Sequence, residues 1–141
     1  MLMEQATKIR KEWSAACDSV IHNKPKFIKR TRDRMWFSNL ETMEEILKAY
    51  KFTAKRFIEE DGSVTLSLCE IDLVENGANE QEARLKMGKS ILEYATDYYN
   101  EYELYSQAPN RKHHVPYIFK ALIMDDPKQI GEEVECHVGK N

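Results

Sequence analysis

Six basic side chains fall within the eleven residues Lys24–Arg34, and Asp33 is the one acid among them. Lysine and arginine at this density neutralise phosphate oxygens, and arginine adds a planar fork that reaches base edges. The same run also suits a solvated edge hairpin, since lysines on an edge strand discourage aggregation. A second concentration of chemistry is the series Tyr94, Tyr98, Tyr99, Tyr102 and Tyr105, flanked by Glu93, Asp97, Glu101 and Glu103. At helical spacing Tyr94, Tyr98 and Tyr105 share one side, with Tyr102 close by. Two uses fit: core residues with hydroxyls at the rim, or the aromatic centre of a protein-binding face suited to a basic partner.

Catalytic signals are absent from the sequence. It carries no glycine-rich phosphate loop, nucleophile elbow or paired-cysteine zinc motif. His113 and His114 are adjacent, so they do not share a helix face and make a poor bidentate metal pair. Cys136-His137 lacks two further ligands nearby, Asp125-Asp126 fits a helix-end turn, and Asp61 fits a hairpin turn. A hydrolase or nuclease built on Asp61, Asp72 or His114 therefore has no motif behind it. The expectation is a protein that is not an enzyme, with no catalytic residues, metal or cofactor.

A chain of 141 residues and 16.6 kDa forms one domain or two very small ones. With 42% hydrophobic and 32% charged residues it has enough apolar surface for a core, which argues against global disorder. No apolar run approaches the ~20 residues needed to span a bilayer. The stretch from Met1 to Lys11 is charged and lacks the apolar segment of a signal peptide. Three cysteines at wide spacing do not make a disulfide framework, so the cytoplasm is the expected compartment. The net charge of -3 is unevenly spread: residues 1–58 carry 13 basic against 7 acidic residues, and residues 59–141 carry 8 against 17. Halves of opposite sign point to different partners.

The elements that would position these groups follow from periodicity. Ile9, Trp13, Ala16, Cys17, Val20 and Ile21 predict one amphipathic helix over 6–22, with Trp13 in the core. Pro25 punctuates the chain, and strands at 26–31 and 34–37 flank a charged turn at Arg32-Asp33. Trp36, in that hairpin, is expected to be half exposed. Ser38-Asn-Leu-Glu41 matches a capping box for a helix reaching about Tyr50. Beyond it, Phe52–Glu59 and Val64–Leu68 surround an Asp61-Gly62 hairpin turn, and Ile71–Glu75 predicts a third strand. Asn79 caps a helix from Glu80 to about Glu103. A loop over 106–111, a helix Val115–Met124 and a short helix opened by Asp126-Pro127 follow. The fold class expected is α+β, with a unit over 1–50, a second over 51–135 and a frayed tail over 136–141.

With these residues in view, Arg10, Trp13, Asp18, Val20, Lys24-Pro25, Phe27–Thr31 and Met35–Leu40 resemble the N-terminal domain of Phd/YefM-type antitoxins. The likeness covers about residues 5–50. It holds the spacing from Val20 through Pro25, Ile28 and Arg30 to Ser38, with Asp33 where the family places a turn glycine. The second unit resembles the HicB-type antitoxin domain over about 52–103, on Glu60-Asp61-Gly62, the strand to Leu68, Asn76-Gly77-Ala78-Asn79 and Glu82-Ala83. These resemblances imply a type II antitoxin that dimerises, represses its own operon on operator DNA and neutralises a protein toxin, often a ribonuclease. They carry DNA contact onto Thr7, Lys8, Arg10 and Lys11 with Lys29, Arg30 and Arg32. The acidic second half would then engage the toxin through Tyr94, Asp97, Tyr98, Glu101, Tyr102 and Tyr105. The competing expectation is a protein-binding adaptor without DNA binding. A homodimer or higher oligomer is expected, since a 50-residue helix–hairpin–helix unit has little core of its own.

Overall fold

The computed structural model describes residues 2–139. It is an α+β fold in two units, Met1–Ile46 and Leu47–Asn141, so the chain divides four residues before the expected boundary. The shift moves Lys48 into the second unit, which also holds Lys51, Lys55 and Arg56. The first then holds nine basic against seven acidic residues, and its positive charge resides in the Lys24–Arg34 run.

The first unit runs β1 (Met3–Gln5), α1 (Ala6–Lys11), α2 (Trp13–His22), β2 (Lys26–Arg30), β3 (Asp33–Phe37) and α3 (Leu40–Leu47). β2 lies centrally in a three-stranded sheet, parallel to β1 and antiparallel to β3. Five expectations change here. The helix over 6–22 is broken at Glu12, which leaves helical geometry at φ -114 and ψ 36. With that break Trp13 is 55% exposed instead of entering the core, and its ring stacks on Phe37 at 5.3 Å. The hairpin turn is Thr31-Arg32, with Thr31 left-handed at φ 56, and Asp33 pairs with Arg30 as the first residue of β3. The cap of α3 is Asn39, not Ser38: Asn39 Oδ1 accepts from the Thr42 backbone N–H at 2.9 Å. The Ser38 hydroxyl turns instead to the Asn39 carbonyl, and α3 stops at Leu47 rather than near Tyr50.

The second unit contains β4 (Thr53–Ile58), β5 (Val64–Leu68), β6 (Val74–Gly77), α4 (Glu80–Asn100) and α5 (Tyr102–Gln107). A 3-10 turn (Lys112–His114), α6 (Val115–Met124), α7 (Pro127–Glu133) and β7 (Glu135–Val138) complete it. The sheet order is β6-β5-β4-β7, antiparallel except for the β4–β7 pair. Gly62 at φ 84 makes the hairpin turn, with Asp61 Oδ1 accepting from the Ser63 N–H at 2.9 Å. This is the left-handed backbone that glycine tolerates at no steric cost. β5 alternates buried and half-buried residues, and Val64, Leu66 and Leu68 face the core. α4 supplies Ala83, Met87, Ile91, Ala95 and Tyr98 to the same core, which α6 and α7 complete with Ile118, Ala121 and Ile130.

Three expectations change in this unit as well. The third strand begins at Val74, and Ile71 is buried in the loop before it. The long helix breaks at Glu101, and α5 takes up the chain where a continuous helix to Glu103 and then a loop were expected. The segment from Glu135 is not a frayed tail: residues 135–138 pair with β4, and Gly139 N–H reaches the Arg56 carbonyl at 2.8 Å. Residues 140 and 141 of that tail lie outside the described residues. Among the described residues no helix is long and apolar enough to cross a membrane.

Candidate functional site

The basic hairpin stands open to solvent. Lys29, Arg30, Arg32 and Arg34 are all exposed, and among the described residues none of them forms an ion pair. The register places Lys29 opposite Arg34 and Phe27 opposite Trp36, whose rings meet edge to face at 5.1 Å. One face of the ribbon therefore alternates cations with half-exposed aromatics. Thr7, Lys8, Arg10 and Lys11 are exposed on α1, which packs its Ile9 against Ile28 of β2. Two cations are partly spent: Lys26 and Lys8 both reach Glu4, at 2.9 and 3.5 Å. Their hydrogen bonds and charge, Lys26 foremost, hold the Glu4 carboxyl below its ordinary pKa.

The core of this unit is thin. Ile9, Ala16, Val20 and Ile28 are its buried aliphatic residues, while Trp13, Ile21, Met35, Trp36, Leu40 and Ile46 are each at least 43% exposed. Ala6, Ile9, Trp13, Ile28, Met35 and Phe37 line an apolar groove of about 610 Å³ with Arg10 at its wall. Arg10 is thus both exposed on α1 and part of the groove, a point the spacing of basic residues did not disclose.

The tyrosine series divides. Tyr98 is fully buried, and its hydroxyl donates to the Arg111 carbonyl at 2.8 Å, so its side chain is core. Tyr94 and Tyr105 are half-buried beneath the Arg111 guanidinium, at 5.8 and 4.6 Å from its carbon. Burial raises the pKa of Tyr94 and Tyr98, so both hydroxyls stay protonated. Asp97, Glu101 and Tyr102 remain exposed, joined by Tyr99 at 58% and Leu104 at 65%. Phe119 of α6 packs against Tyr99 and Tyr102 and completes an aromatic patch. Leu104 and Phe119 escaped the spacing argument because the break at Glu101 turns α5 away from the stripe of α4, and α6 arrives from elsewhere in the chain.

At the other end of α4, Glu80 accepts from Arg56 at 2.5 Å and from Arg84 at 3.2 Å. Arg84 also donates to the carbonyls of Gly131 and Val134, at 3.0 and 2.6 Å, satisfying orphan acceptors at the end of α7. The hydrogen bond from Arg56, followed by Arg84, keeps the Glu80 carboxyl below its ordinary pKa. His114, buried with Nδ1 2.8 Å from the Tyr94 hydroxyl, is held below its ordinary value of 6.5 by burial and then by His113 and Arg111. Both groups have folded pKa values depressed below the unfolded ones. Their stabilisation is present above the unfolded values and lost as pH falls through the folded ones. The melting temperature of the protein should fall on acidification first through the histidine range and again below the ordinary carboxylate range. His114→Gln should remove the first fall and leave the second, as read from melting curves between pH 7.5 and 3.

Among the described residues no three His, Cys, Asp or Glu side chains converge on a metal position. His113 and His114 meet edge to face with centroids 4.4 Å apart, and Cys136 and His137 are successive residues of β7.

Comparison with known proteins completes the picture. A family model named PHD-like, described as antitoxin of toxin–antitoxin, RelE/RelB, TA system, matches residues 1–136. No curated protein matches the chain. Among solved structures, the chain is similar to an antitoxin part of a candidate toxin/antitoxin system from Syntrophomonas wolfei subsp. wolfei. The identity is 34% and the TM-score 0.92, over 99% of this chain and 100% of that one.

Proposed function

The chain belongs to the PHD-like family of toxin–antitoxin antitoxins, and from that premise we propose that it binds operator DNA through its first unit and a protein toxin through its second. The observation that carries the DNA half is the hairpin. Lys29, Arg30 and Arg32 are exposed cations without ion-pair partners among the described residues, on a ribbon stiffened by Phe27 and Trp36. They join Thr7, Lys8, Arg10 and Lys11 of α1 as the contacts that neutralise phosphate, with arginine available to base edges. The first unit works as a homodimer or higher oligomer. Four buried aliphatic residues are a small core for its length, and the exposed Trp13, Met35 and Trp36 give a second copy an apolar surface to cover.

The second unit, which we read as HicB-like, meets the toxin through Asp97, Glu101 and Tyr102. Tyr99 and Leu104 widen the apolar centre of that surface. Tyr94, Tyr98 and Tyr105 support it from beneath. An acidic, aromatic patch complements a basic surface such as the RNA-binding face of a ribonuclease toxin.

The test is titration of the full chain against its own upstream DNA at two salt concentrations, with an unrelated fragment as control. A toxin from the same operon is then offered to wild type and to Asp97→Lys/Glu101→Lys. Specific binding that weakens with salt, and a loss of toxin capture in the double variant, are expected. No DNA binding at low salt would favour the adaptor reading, in which the hairpin only keeps an edge soluble.

A further inference from the structure

The second unit holds a cavity whose charged groups neither DNA nor toxin binding uses. The cavity, of about 690 Å³, opens between the β5–β6 loop, Tyr94 of α4 and the segment Asn110–His114. Arg111 lies at its wall, with the guanidinium carbon 4.6 Å from the Tyr105 ring centroid and 5.8 Å from that of Tyr94. The Tyr94 ring is itself fixed, because its hydroxyl and His114 Nδ1 share a hydrogen bond of 2.8 Å. Two rings lie within cation–π reach of the fork and favour its place at the wall, and among the described residues no carboxylate pairs with it. A guanidinium placed in this way is a receptor for a planar oxyanion.

The same cavity also carries the complementary charge. Asp72 lines the same cavity, is exposed, and forms no ion pair among the described residues. Glu70, also at the cavity, is already spent: its carboxylate accepts from the Thr53 backbone N–H at 2.7 Å and from the Thr53 hydroxyl. The cavity therefore has one cation and one uncommitted anion, which are not paired with each other. A doubly charged phosphate would gain Arg111 but face Asp72 and Glu70. A monocarboxylate that also carries an ammonium group satisfies both charges.

We propose that this cavity binds a zwitterion of the amino-acid class, with the carboxylate on Arg111 and the ammonium on Asp72. His114 is a positioning residue, acting through Tyr94. The proposal goes beyond the antitoxin reading and stands if that reading fails, since it involves neither DNA nor toxin.

The experiment is calorimetric titration of the full chain with ω-amino acids of increasing charge separation, from glycine through γ-aminobutyrate to 6-aminohexanoate. Butyrate, butylamine and inorganic phosphate are the controls. At least one zwitterion is expected to bind at least tenfold tighter than butyrate or butylamine. Asp72→Asn, at an exposed side chain without ion pairs among the described residues, should reduce that binding to the level of butyrate and leave the melting temperature unchanged. Arg111→Lys should weaken it by a similar factor. Three results would overturn the proposal: no zwitterion binding, binding unaltered by Asp72→Asn, or phosphate or butyrate binding as tightly as the best zwitterion.

Discussion

Replacing Gly88 with alanine is expected to lower the melting temperature of the second unit by about 10–20 °C, the largest effect of any single methyl group in this chain. A Cβ at Gly88 would fall inside the Pro127 carbonyl oxygen and within 2.9 Å of the Gly131 nitrogen. The reciprocal approach is equally close, since a Cβ at Gly131 would overlap the Arg84 carbonyl. α4 and α7 thus touch backbone to backbone, and the obstacle is main chain, which cannot swing aside like a side-chain tip. Moving α7 away would also pull its terminal carbonyls off Arg84 and strain Ile130, which is fully buried. A cost of about 3 kcal/mol corresponds to that shift for a unit of this size. Gly62→Ala provides the comparison: the space around Gly62 is open and only its φ of 84 resists, so the loss should be about 1 kcal/mol. Equal melting temperatures for Gly88→Ala and wild type would mean that the two helices do not meet backbone to backbone.

Neutralising the hairpin, as Lys29→Gln/Arg30→Gln/Arg32→Gln, is expected to weaken binding to the upstream DNA by about a hundredfold or more near 0.1 M salt. It should also lower the slope of log affinity against log salt by about 2 to 3, because every phosphate left without its cation keeps roughly 0.9 counterions that binding would otherwise release. All three side chains are exposed and without ion pairs among the described residues, so thermal stability should stay within about 0.5 kcal/mol of wild type. A drop in affinity with an unchanged slope would assign the residues to base recognition or to dimer geometry instead. An unchanged affinity would remove the hairpin from the DNA surface.

What could be read from the sequence was governed by range. Asp61-Gly62, Asn79 before Glu80 and Asp126-Pro127 are short-range signals, and each sits where its local chemistry puts it. The alternation of Val64, Leu66 and Leu68 is as local, and it survives as a strand with one buried face. Trp13 failed because helical spacing gives a face, not what covers that face. A break at Glu12, with no glycine or proline to announce it, sets the ring on Phe37. Thr31 at positive φ was equally silent, since a β-branched residue is a poor candidate for that backbone. At the candidate sites, the cationic run was legible as a run of like charges. The tyrosines were legible as a stripe, but which of them are covered depends on Arg111, His114 and Phe119, which reach them from beyond the next break. Arg111 itself carried no signal: a single arginine after Pro109-Asn110 acquires meaning only once two rings from α4 and α5 lie beneath it.

The parallel pairing of β7 with β4 joins Thr53 to Glu135, 82 residues apart in sequence. Strand pairing in the first unit spans far less, from Met3 to Phe27 at its widest. Closing the longer loop costs more chain entropy before any pairing rewards it. During synthesis the first unit can therefore complete its pairings while one edge of β4 still waits for its neighbour to be translated. Until then the backbone donors and acceptors along that edge, and the Arg84 guanidinium that later meets Gly131 and Val134, are without their final partners. Such an interval favours capture by proteases or by another open strand. The rate at which the nascent chain clears it, as well as the final stability, then sets how much functional protein a cell holds.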